Sequence, residues 1–282
     1  MYRSKKIDHI NVSRSQLGLY VTTFGDHLET QVIFFHDLGE YHDRYSEFAE
    51  YLFHQEIGTT FIDMRGHGLS SGSRGHASSY KDLLEDYETF FDQRMINYKE
   101  KKIFLCGHGL GALICMSLDQ IYSHVEGMIL INPAIQYRDL PDLGLKKILG
   151  KRSLFDKFKI PLPSGIDALS NEQVVVSNNK HDPLVNKKMT VGMYRSINEL
   201  LKRIKYSSYF INVPVLYIIG EEDKIVDLDI SRLFSSSIDG NLLMLKNYKN
   251  LGHEVFNELE RDIVFKDIKK WIRLTESSYV KE

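Results

Sequence analysis

Asp223 and His253 each follow a short apolar run, and together they could work as a carboxylate-oriented base. An imidazole held at one nitrogen by a carboxylate can take a proton from a hydroxyl nucleophile through the other. That hydroxyl should come from the stretch Gly107-His108-Gly109-Leu110-Gly111. The stretch lies between the apolar run Ile103-Phe104-Leu105 and an apolar segment, Ala112 to Ile121. This is the strand–turn–helix setting in which G-x-S-x-G presents a serine on a sharp turn. The central residue here is Gly109, so the nucleophile's position is present and the nucleophile is not. The Leu110 amide, just past the turn, and the Leu38 amide, after the QVIFF run, are the candidate oxyanion donors.

Other residues compete for these roles. Glu221, Glu222 and Asp227 are alternative acids whose spacing fits less well. Cys106 precedes the turn on the strand, where a buried thiol should be a poor nucleophile. His67 and His108 adjoin glycines and read as hydrogen-bonding within tight loops. No group of residues has metal-ligand spacing, so neither a metal nor a cofactor is expected. A residue at the centre of the turn should have positive φ, which costs a serine ~1–3 kcal/mol and a glycine little. Two origins fit Gly109: natural loss of a nucleophile, or replacement of a serine. If the remaining groups are in place, Gly109→Ser alone should create an esterase.

These residues need strands that end at one edge. Ile7–Val12 and Leu17–Phe24 alternate as an antiparallel hairpin. Gln31–Phe35, Gly58–Met64, Ile103–Leu105, Val125–Ile131 and Val215–Ile219 are buried runs that read as central strands. Asn241–Leu245 completes the series. Helices are expected over Asp43–His54, from Ser79 to Tyr98, over Ala112–Ile121 and over Glu258–Leu274. Strands alternating with helices predict a mostly parallel, doubly wound sheet whose site lies beyond the strands' carboxyl ends. His36, Asp63, Arg65 and Gly109 all fall there. The alternation stops after Pro133. Residues 134–208, with four of the six prolines, read as an insertion over the site.

The chain has 282 residues, a net charge of −2 and 43% hydrophobic residues, enough for one large α/β domain. The charge gives no footprint for nucleic acid. Cys106 and Cys115 read as buried small hydrophobes in a reducing compartment. The amino-terminal residues hold no apolar core of a signal peptide, and no apolar run approaches ~18 residues. A cytoplasmic location is expected. Residues 143–160 carry six basic side chains (Lys146, Lys147, Lys151, Arg152, Lys157, Lys159) and the single acid Asp156. With their apolar residues they suit either a solvated cap helix or peripheral contact with an anionic membrane.

Taken together, the motifs resemble the monoacylglycerol lipase and lysophospholipase group of α/β hydrolases, whose domain is also called serine aminopeptidase S33. His36-Asp37-Leu38-Gly39-Glu40 with Arg44-Tyr45 resembles HGxGEHxxRY, and Asp63 to Gly72 resembles DxRGHGxSxG. Asn132-Pro133 is similar to the entry into that group's cap, His181-Asp182-Pro183-Leu184 to a cap motif, and Gly220–Val226 to the acid motif GxxDxxV. The resemblance implies an eight-stranded, mostly parallel sheet with helices on both faces. It implies a core of residues 1–133 and 209–282, and a helical cap over 134–208. It also implies a triad in the slots of Gly109, Asp223 and His253, with oxyanion donors at Leu38 and Leu110. Two positions depart: Gly109 replaces the serine, and Asp37 replaces a glycine of the oxyanion loop. The expected ligand is a long-chain acyl ester, a monoacylglycerol or lysophospholipid. The expected chain is a hydrolase scaffold inactive as it stands. The alternatives are a pseudoenzyme that binds an acyl lipid, and an aminopeptidase-like hydrolase, which the basic cap disfavours.

Overall fold

The computed structural model describes residues 5–12, 16–119, 124–139, 155–205 and 210–278. Most of the basic segment, 140–154 with Lys146, Lys147, Lys151 and Arg152, lies outside them, as does the end of the helix expected to reach Ile121.

Eight strands form one sheet. They are β1 (Lys5–Val12), β2 (Leu17–Phe24), β3 (Thr30–Phe35), β4 (Gly58–Ile62), β5 (Lys102–His108), β6 (Val125–Ile131), β9 (Val215–Gly220) and β10 (Leu243–Tyr248). Their order is β1-β2-β4-β3-β5-β6-β9-β10. The β1–β2 and β2–β4 pairs are antiparallel and the rest parallel. Registers such as Phe35 opposite Gly107 and His108 opposite Ile131 bring the carboxyl ends of the central strands to one edge.

The central strands are apolar on both sides because both faces are covered, and alternate residues join different layers. Val32, Phe34, Phe104 and Cys106 pack with α1 (Ser46–His54) and α7 (Arg261–Ser278). Ile33, Phe35, Ile103 and Leu105 pack with α2 (Tyr80–Tyr98) and α3 (Leu110–Asp119). Ser79 caps α2 through a reciprocal capping box with Asp82, and Asp227 caps α6 (Leu228–Ser235).

Between β6 and β9 the chain leaves the sheet. It forms a short antiparallel ribbon of β7 (Lys159–Pro161) and β8 (Lys188–Thr190), with α4 (Gln173–His181) and α5 (Val191–Ile204). The ribbon is not visible in the sequence, since three-residue strands carry too few positions for a period. No helix among the described residues is long and apolar enough to cross a membrane.

Candidate functional site

Gly109 forms the sharp turn between β5 and α3, with φ of +53°. Its N–H donates to Ile131 O at 3.0 Å, and its carbonyl accepts from Ala134 N at 3.2 Å. The turn is therefore held from the end of β6. A Cβ built on Gly111 would overlap the Phe35 carbonyl, so glycine is what lets α3 start so close to β3.

His253 follows β10 and is fully buried. Its Nδ1 lies 2.7 Å from Asp223 Oδ2. Asp223 is fixed in turn: its Oδ1 accepts from the Ile225 and Val226 amides at 2.7 and 3.0 Å. Burial pushes the Asp223 carboxyl up, but the His253 imidazole and the two amides outweigh it and hold it below the usual range. The other candidate acids are elsewhere. Glu221 pairs with Arg232, Glu222 accepts from Asn171, and Asp227 caps α6. Asn132, at φ +39°, ties the site together. Its amide donates to Gly252 O and His253 O, and its Oδ1 accepts from Gly220 N.

The group that faces the other nitrogen of His253 is Asp37. Its Oδ2 lies 2.9 Å from His253 Nε2, where a triad would put a hydroxyl. Its Oδ1 accepts from Leu110 N at 2.6 Å, so the expected oxyanion donor is already engaged. A Cβ built on Gly109 would overlap Asp37 Oδ1, Cγ and Oδ2. A hydroxymethyl group at 109 therefore requires the Asp37 carboxylate to move from this position. Leu38 is buried in the core. Burial drives the His253 imidazole down, yet Asp223 and Asp37 together hold it well above the usual histidine range.

Around this centre lies a cluster the sequence reading did not assemble. His108 does not stay within its own loop. Its Nδ1 lies 3.0 Å from Tyr45 Oη and 3.3 Å from Glu40 Oε2, and its Nε2 is 2.9 Å from His253 O. Arg44 binds Glu40, Glu254 and, on α4, Asn179. These contacts were legible only as an unassigned Glu40…Arg44-Tyr45 motif. Burial, then Glu40, push the Glu254 carboxyl up to about 7 against the pull of Arg44. The Tyr137 hydroxyl is buried with no hydrogen-bond partner, and burial plus the charges of Asp37 and Asp223 raise its pKa well above the usual value.

The remaining strand-end residues bond to neighbouring loops and to α2. Asp63 accepts from the His42 and Leu69 amides at 2.8 and 2.9 Å, and Arg65 grips Asp86. His67 does bond within its loop, to Arg65 O. Cys106 is buried, which raises its thiol pKa well above the usual value, and it takes no place in the site.

A cavity of about 1050 Å³ opens between α5 and α6, lined by Ile135, Tyr137, Leu201, Leu233, Phe234 and Lys202 among others.

Comparison with known proteins identifies the family and the fold. A family model described as Hydrolase_4, serine aminopeptidase S33, matches residues 26–260. The chain is 29% identical over 247 residues to a monoacylglycerol lipase of Mycolicibacterium smegmatis, covering 86% of this chain and 87% of that one. It is 26% identical over 245 residues to phospholipase YtpA of Bacillus subtilis, covering 83% and 92%. The crystal structure of Paleococcus ferrophilus monoacylglycerol lipase matches with a TM-score of 0.80 at 25% identity, over 91% of this chain and 99% of that one.

Proposed function

Since the chain belongs to the Hydrolase_4 (serine aminopeptidase S33) family, and with it to the monoacylglycerol lipase and lysophospholipase-like ester hydrolases, we propose that it binds a single-chain acyl lipid without forming an acyl-enzyme. One observation carries this reading. The Asp37 carboxylate fills the space that a nucleophile at 109 would need, and it occupies the Leu110 amide that an oxyanion would need. A side chain at 109 and the Asp37 carboxylate in its present position exclude each other. This interlock favours natural divergence over a replaced serine.

Residues 134–208 act in this reading as a cap. The cavity between α5 and α6 is of a size that suits a lipid chain, since ligand pockets span roughly 300–1,000 Å³. Tyr137, from the segment that follows β6, is part of its lining. Contact with an anionic membrane through 143–160 fits the same ligand. Its described residues Phe155 and Phe158 are exposed beside Lys157 and Lys159.

The test is titration of the protein with a monoacylglycerol and a lysophospholipid, with free fatty acid and serine labelling followed in parallel. The expected result is a saturable complex with one of the two, no released fatty acid and no labelling by a fluorophosphonate. A labelled serine, or turnover through an acyl-enzyme, overturns it. Absence of binding to both lipids removes the ligand class.

A further inference from the structure

We propose that Asp37, His108 and His253 form a binding site for a borderline divalent cation, with zinc the best fit. The donor atoms of these three buried residues all lie within 4.8 Å of one another. Around a tetrahedral zinc, with bonds of about 2.0–2.2 Å to nitrogen and oxygen, neighbouring donors sit about 3.3–3.6 Å apart. Small movements of three side chains would therefore close the set. The residues come from three separate segments: the loop after β3, the end of β5 and the loop after β10. Their sequence spacing carries no metal motif.

Geometry beyond the three donors supports the assignment. A ligating histidine usually gives its other ring nitrogen to a carboxylate, which fixes its tautomer. His253 has Asp223 on Nδ1 at 2.7 Å, and His108 has Glu40 near Nδ1 at 3.3 Å with Tyr45 Oη at 3.0 Å. This leaves Nε2 of His253 facing Asp37 and Nε2 of His108 facing the His253 carbonyl. The third donor is oriented too, because Asp37 Oδ1 is held by the Leu110 amide at 2.6 Å while Oδ2 faces His253. An ion would replace two hydrogen bonds, His253 Nε2 to Asp37 Oδ2 and His108 Nε2 to His253 O, both at 2.9 Å. The His253 carbonyl would keep its bond from the Asn132 amide at 2.8 Å.

Charge points the same way. Asp37, Asp223, Glu40 and Glu254 are all buried; Arg44 pairs with Glu40 and Glu254, while Asp37 and Asp223 share His253. Buried carboxylates require positive partners. One cation held between Asp37 and the two imidazoles would meet that need. Two nitrogens and one carboxylate suit zinc or cobalt better than magnesium or calcium, which select oxygen. Three protein ligands leave a fourth position for water, the ligand count of an open zinc site. The inference goes beyond the lipid-binding reading, which survives if it fails.

The experiment uses the full chain stripped with a chelator and titrated with cobalt(II), then zinc. Expected are one equivalent bound, the visible absorption of tetrahedral cobalt, displacement by zinc, and a higher melting temperature. Asp37→Asn and His108→Gln, which keep hydrogen-bonding groups, should each weaken zinc binding at least 10-fold. Asp223→Asn should weaken it ~10–100-fold by releasing the ligand's orientation. His181→Ala, on an exposed histidine, should change nothing. If the variants fail to fold, nitrogen-15 histidine spectra of the unaltered chain decide: zinc must shift the Nε2 signals of two of its 11 histidines. No cobalt spectrum and no shifted histidine in folded protein, or undiminished binding in folded Asp37→Asn and His108→Gln, overturns the proposal.

Discussion

At the scale of single residues, position 109 cannot be understood apart from position 37. Gly109→Ser adds a Cβ at φ +53° and drives it into Asp37. The expected loss is about 2–5 kcal/mol in chemical denaturation, with no gain in p-nitrophenyl ester hydrolysis. Asp37→Gly with Gly109→Ser should recover much of that stability, with a coupling of ~1–3 kcal/mol. It should also free the Leu110 amide and gain at least ~10³-fold in hydrolysis, lost again with His253→Ala. His67 carries a pH dependence. Burial, then the neighbouring His36, push its pKa down to about 3, and its Nε2 is buried without a partner. The unfolded chain takes up this proton below its ordinary value near 6.5 and the folded chain does not. Stability from this group is therefore complete above that value and declines as pH falls toward 3. The decline approaches about 1.4 kcal/mol per pH unit. Denaturant titrations at pH 7 and 5 should show His67→Gln losing less stability than the parent, by ~2 kcal/mol.

At the scale of elements, Arg65 in the loop after β4 pairs with two acids of α2, Asp86 closely and Asp82 at 3.8 Å. Arg65 Nε and Nη2 donate to the two Asp86 oxygens, each at 2.6 Å, in a buried setting. Such a pair adds little net stability but is costly to break on one side. Arg65→Ala should cost ~3–5 kcal/mol by leaving Asp86 buried and unpaired, and adding Asp86→Ala should return part of the loss in the same denaturation assay. Element ends show where periodicity stops being informative. The last strand is Leu243–Tyr248 rather than Asn241–Leu245, because an edge strand with one partner, β9, is half exposed and keeps Lys246 and Asn247. The last helix starts at Arg261 rather than Glu258, whose carboxylate instead accepts from the Asn171 amide at 3.0 Å.

At the scale of the molecule, the segment between β6 and β9 is not an independent layer. Met193, Ile197, Leu200 and Ile204 of α5 belong to the same apolar cluster as Leu110, Leu113 and the β5 residues Ile103 and Leu105. Leu200 is fully buried, so Leu200→Ala should cost ~2–5 kcal/mol. Because the cluster is continuous, the loss should lower a single thermal transition. The emission of Trp271, buried on the opposite face of the sheet, should report it together with far-ultraviolet dichroism.

The sequence by itself determined the sheet, the elbow and the order of the candidate residues. Those features rest on local periods and on glycines whose backbone needs are local. Asp223 and His253 were legible for the same reason, since each follows a strand directly. The sequence also marked Asp37 and Gly109 as departures, but as two separate ones. Only the tertiary structure made them one feature, because residues 72 positions apart meet where β3 and β5 lie side by side. It alone carried His108 out of its loop to Glu40 and His253, and joined Arg44 to α4 through Asn179. Such contacts depend on which strand ends are neighbours, and no period along the chain records that.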